Sequence, residues 1–130
     1  MSNTMQTNQH MELVQGDDYL AADGRAVTIY GNGVCWPAAV PTVRLCVFEH
    51  PCCAPVVNAT APQAMIDVEG TFTAATTTAP AKAAFDVTRA LTLPLACGVR
   101  RYAFEVRGLL ATGSVVTLAR GHVTVIGSFA

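Results

Sequence analysis

Between Thr42 and Glu49 the chain reads TVRLCVFE, and strict alternation puts Val43, Leu45 and Val47 on one face and Arg44, Cys46 and Phe48 on the other. A period of two is incompatible with a helix, whose faces repeat every 3.6 residues. The same period returns along the chain. In MIDVEGTF, Ile66, Val68 and Phe72 share a register against Met65, Asp67, Glu69 and Thr71. Ala83, Phe85 and Val87 continue the inward pattern, and in RRYAFEVR Tyr102, Phe104 and Val106 face in while Arg101, Ala103, Glu105 and Arg107 face out. Shorter strand signals stand at MELV and AVTIY, followed by turn chemistry at Gln15-Gly16-Asp17 and Gly31-Asn32-Gly33.

The segments between these runs carry breakers. Pro51, Pro55 and Pro62 punctuate PCCAPVVNATAPQA, which reads as a long loop, and AATTTAPA reads as another. Leu91 to Gly98 makes an apolar corner broken by Pro94, and ATGS at Ala111 to Ser114 supplies a hairpin turn. The last strand changes parity, because Val116 and Leu118 share one register while Val123 and Val125 share the other. A β-bulge near Gly121 is expected to absorb that slip. No helical period is sustained anywhere. The pattern therefore predicts an all-β chain, a single immunoglobulin-like antiparallel β-sandwich of about seven strands.

At 130 residues the chain suits one domain with one core. Residues 1–10 are polar and aperiodic and are expected to form an N-terminal arm clamped by a neighbouring subunit, with residues 11–130 forming the sandwich. Charged residues are 13% of the composition and hydrophobic ones 52%, so part of the outside is expected to be covered by a partner. A net charge of -1, with scattered Lys and Arg, gives no footprint for nucleic acid. No apolar run is long enough to span a membrane, and MSNTMQTNQH is unlike a secretory signal.

Leu13 to Arg25, the Trp36-Pro37 step before TVRL, the Tyr102 strand and the closing GSVVTLARGHVTV together resemble the immunoglobulin-like domain at the N-terminus of phage baseplate upper proteins and the free-standing phage modules related to it. The likeness covers most of residues 12 to 126 and rests on turn and core signals. It implies a place on a tailed-phage particle. The chain departs from the pattern in the Cys- and Pro-rich loop at 51 to 62, and it lacks the coiled-coil or receptor-binding segments that follow the domain in baseplate proteins. Cys35 beside Trp36 also breaks the Cys…Trp…Cys spacing of secreted immunoglobulins.

The chemical constellations are thin. Five cysteines, Cys35, Cys46, Cys52, Cys53 and Cys97, form an odd set without framework spacing and read as small apolar side chains. Cys46, His50, Cys52 and Cys53 offer soft ligands but lack the C-x2-C knuckle of a zinc site. Asp17, Asp18 and Asp23 lack the glycine-spaced loop of a calcium site, and Asp67 and Glu69 share one exposed strand face. His10, His50 and His122 lie in separate segments, which leaves His50 with Cys52 as the single nucleophile pairing. No catalytic residue, cofactor or metal is expected. Trp36 reads as core, while Phe48 on the outer face and Phe129 at the terminus, with Met5 and Gln6 in the arm, are the candidate interface residues.

The expectation is a non-enzymatic structural protein of a tailed-bacteriophage virion, made in the host cytoplasm. A head decoration or cement subunit that binds the major capsid protein or other virion proteins, with homo-oligomeric or lattice contacts, is favoured over a tail or baseplate adaptor. A host-glycan-binding module is the further alternative.

Overall fold

The computed structural model describes residues 6–31, 36–49, 64–95 and 102–127, with backbone alone for residues 6–9. Among the described residues there are seven strands: β1 (Gln6–Val14), β2 (Val27–Tyr30), β3 (Thr42–Glu49), β4 (Ala64–Thr73), β5 (Lys82–Phe85), β6 (Tyr102–Leu109) and β7 (Val115–Ile126). They form one curled sheet in the order β1-β7-β6-β3-β4-β5-β2. Helical structure among the described residues is limited to a 3-10 turn at Ala21–Asp23 and one α-helical turn, α1 (Arg89–Thr92). The all-β expectation holds.

Alternation explains which side chains face inward. Val43, Leu45 and Val47 are fully buried, as are Phe104 and Val106 on the neighbouring β6 and Ala83, Phe85 and Val87 on and after β5. Because the sheet curls, side chains of β2 and β5 at one end reach those of β3, β6 and β7 at the other in a single hydrophobic cluster. Burying a large apolar side chain contributes roughly 1.5–3 kcal/mol, and this cluster supplies the main stabilisation of a fold with little helix.

The curl is made by β4. Its first part pairs with β3 as far as Gly70 opposite Val43, and its last three residues pair with β5 instead. One strand thus hands the sheet from one half to the other. At the handover the Phe85 ring lies over Gly70, where a Cβ would sit 2.3 Å from a ring carbon.

Two local features differ from the sequence reading. The pairing of β1 with β7 is parallel, whereas every other pairing is antiparallel. Period two is the same for both directions, so alternation carries no information about it. In addition, β1 opens at Gln6, inside the stretch expected to be an arm.

The bulge in β7 exists but lies before Gly121. Val106 pairs with Ala119 and Arg107 with Thr117, so Leu118 is the extra residue, and Leu118 and Ala119 are both buried. The physical reason is Gly108 on β6. A Cβ there would come within 3.3 Å of Leu118 Cδ1 and 2.7 Å of Val40 Cγ1, so the missing side chain makes the space that the bulged leucine fills. Gly121 itself stays in register opposite Phe104. The ATGS hairpin is as expected: Leu110 N–H bonds Ser114 O at 2.9 Å, and Gly113 adopts φ 90°.

A polar brace closes one end of the sheet. Thr92 is fully buried; its hydroxyl donates to Asp17 O at 2.8 Å and accepts from Gly16 N–H at 3.1 Å. Gln15 Nε2 adds bonds to Leu93 O and Leu95 O, and Asp18 Oδ1 caps the Arg89 N–H. These contacts tie the β1–β2 turn to α1. Thr92→Val keeps the shape but leaves a buried donor and acceptor unpaired, so it is expected to cost about 2 kcal/mol in chemical denaturation.

Candidate functional site

The outward residues of the central strands form one continuous face, and register fixes its rows. Glu69, Arg44 and Arg107 lie side by side across β4, β3 and β6. In the next row Asp67, Cys46, Glu105 and Arg120 cross β4, β3, β6 and β7. A third row runs Ala64, Phe48, Ala103 and His122. At the opposite end Leu109 pairs with Val115 beside Thr42.

The middle of this face is charged. Arg44 Nε donates to Asp67 Oδ1 at 2.8 Å and its Nη1 lies 3.6 Å from Glu69 Oε1, while Arg107 Nη2 donates to Glu105 Oε1 at 2.8 Å. With Arg120, three cations face three carboxylates, so the band is balanced. Its two ends are apolar. Leu109 is 44% and Val115 64% exposed at the hairpin end, and at the other end half-buried Phe48 stands beside Met65, which is 40% exposed where β4 skips one residue of register.

The assembled sheet thus gives the Arg44, Cys46 and Phe48 side of TVRLCVFE a charged centre with apolar ends. The carboxylates come from β4 and β6, which only pairing brings beside Arg44 on β3. Phe48 does face outward, as its register implied. Gln6 is at the start of β1, opposite Ala119. Met5 and Phe129 lie outside the described residues. Leu109, Val115 and Met65 were missed, although outward parity at the ends of their strands was the available signal.

Neighbouring charges tune this face. The Asp67 carboxylate, by its hydrogen bond first and its charge second, holds the Arg44 guanidinium above its usual pKa. Burial first, and the Asp67 charge second, push the Cys46 thiol up, and Arg107 and Arg44 offset this only in part. Cys46 is therefore a poor nucleophile. Asp67→Asn removes one of the raising influences, so peptide-resolved alkylation of Cys46 at mildly alkaline pH is expected to speed up; an unchanged rate would show that burial alone controls it.

Other candidate constellations separate. Asp17 pairs with Arg25 at 3.2 Å, Asp18 holds the Arg89 N–H and Asp23 stands in the 3-10 turn, so the three do not converge. His50, Cys52 and Cys53 lie outside the described residues, as do Cys35 and Cys97. Among the described residues no three potential metal ligands come together, and no helix is long and apolar enough to cross a membrane. Trp36 packs on the core, stacked against Phe72 at 6.4 Å and lying over Gly31, with its Nε1 buried and unpartnered.

The outer face of the sheet combines a charge-balanced band with apolar ends. Its balanced charges and apolar ends suit the recognition of another protein surface. No family model matches the chain, and no curated protein matches it.

Proposed function

We propose that this chain is a non-enzymatic structural subunit of a tailed-bacteriophage virion, built as an immunoglobulin-like β-sandwich and attached to the particle through the outer face of β3, β6 and their neighbours. The strand order carries this reading. In immunoglobulin-type sandwiches the second, fifth and fourth strands make one sheet edge to edge and the third, sixth and seventh make the other. Here β2, β5 and the end of β4 follow one another, as do β3, β6 and β7, with β4 bridging the two sets. That order agrees with the phage-module resemblance of residues 12 to 126.

Function then lies in docking. Phe48 and Met65 at one end of the outer face, and Leu109 and Val115 at the other, are the apolar anchors, and the charged band between them sets orientation. A head decoration role is favoured: many copies on a capsid lattice, each binding weakly, add up to a large stabilisation.

Immunogold labelling of purified particles with an antibody to this chain tests the reading. Label spread over the head is the expected result. Label confined to the tail moves the same docking face to an adaptor, and particles without label overturn the virion assignment.

A further inference from the structure

The curled sheet does not close on itself. Its terminal strands are β1 and β2, and between them runs an open groove of about 350 Å³. The floor is apolar, made by Met11, Val27 and Ile29, and His10, Glu12 and Arg25 stand at the rim. These floor residues retain 6–9% exposure, whereas most of the core on β3, β5 and β6 has 2% or less. The groove is a seam in the core.

The edge of β1 along this seam offers hydrogen bonds. Gln15 N–H bonds Ile126 O on β7, and Val14 N–H turns the other way to Tyr19 Oη at 2.7 Å. Alternation along a strand then directs the N–H and C=O of His10 and Glu12 away from β7 and into the groove. Natural edge strands are usually blunted by Lys, Pro or bulges. From His10 to Val14 this edge carries neither Lys nor Pro.

We propose that β1 pairs antiparallel with β1 of a second copy about a two-fold axis through Met11. Only a register that sets even residues opposite even residues lets the outward backbone groups meet. Centred on Met11, it puts His10 opposite Glu12 of the second copy and Glu12 opposite its His10, giving four backbone hydrogen bonds. Both side chains are exposed on the outer face, and the imidazole and carboxylate already approach to 3.8 Å within one chain. The edge is thus self-complementary, as an isologous interface must be. Tyr19 occupies the Val14 N–H and limits the pairing to this short stretch. The two Met11 side chains come together over the apolar floor.

Sedimentation velocity of the full chain across micromolar to millimolar concentration tests this directly. A monomer–dimer equilibrium is expected. Glu12→Lys sets Lys against His at both symmetry-related positions and is expected to raise the dimer dissociation constant about tenfold or more. His10→Glu combined with Glu12→Lys restores opposite partners and is expected to recover dimerisation, with unchanged circular dichroism throughout. A chain that stays monomeric, or a dimer indifferent to Glu12→Lys, overturns the proposal and leaves the seam to a strand of some other protein.

Discussion

Gly70→Ala is expected to destabilise the protein by about 3 kcal/mol, a large fraction of the roughly 5–15 kcal/mol that holds a domain of this size together. The cause is contact and not backbone conformation, because Gly70 is not among the glycines with positive φ. An added Cβ would lie 2.3 Å from Phe85 Cδ1 and 2.4 Å from the Ala84 carbonyl oxygen. The ring could tilt at the expense of core packing. The carbonyl could not, since Ala84 sits within the β4–β5 ladder opposite Thr71. Gly24→Ala is the control. That glycine has φ 69° with nothing within 4 Å of its added Cβ, so only the left-handed backbone is penalised, by about 1 kcal/mol. Denaturant titration of the two variants separates these costs; equal midpoints would show that Gly70 is not the tight point of the curl.

The contrast shows what was legible in the chain. Inward and outward faces follow from local alternation, which is why Val43, Leu45, Val47, Phe104 and Val106 are placed correctly by reading alone. The curl was not legible. In MIDVEGTF, Gly70 merely interrupts a strand pattern; that it lies under Phe85 depends on β5 folding back onto β4, a contact between segments with no shared local signal. The β7 bulge shows the same division. The parity change was visible in Val116, Leu118, Val123 and Val125, but its position is chosen by Gly108 on another strand. So too with the outer face: Arg44 meets Asp67 and Glu69 only after β3 and β4 have taken their register, and the charged band could not be seen one strand at a time. The direction of β1 was beyond reach for a simpler reason, since a parallel and an antiparallel strand alternate alike.

Phe85→Ala is expected to have the largest effect of all, about 4 kcal/mol, lowering the melting temperature by roughly 15 °C. Phe85 is, with Phe104, one of the two largest fully buried side chains described, and it belongs to a strand of only four residues whose other inward side chain is Ala83. One ring therefore supplies most of what β5 contributes to the core. β2 depends on it in turn. β5 is its sheet neighbour, with Val27 directly opposite Phe85 and the Gly31 N–H bonded to Ala81 O beyond the strand end. Truncation should loosen that half of the curl before the half built on β3 and β6. Hydrogen exchange is expected to show early loss of protection in β2 and β5, with β3 and β6 protected to the global limit; uniform loss would mean that the curl unfolds as one unit. Combining Gly70→Ala with Phe85→Ala identifies what Gly70 accommodates. If the ring is the obstacle, the double variant is less destabilised than the sum of the singles by about 1 kcal/mol or more. If the costs instead add to within about 0.5 kcal/mol, the Ala84 carbonyl sets the limit, and the handover of β4 from β3 to β5 is governed by backbone meeting backbone.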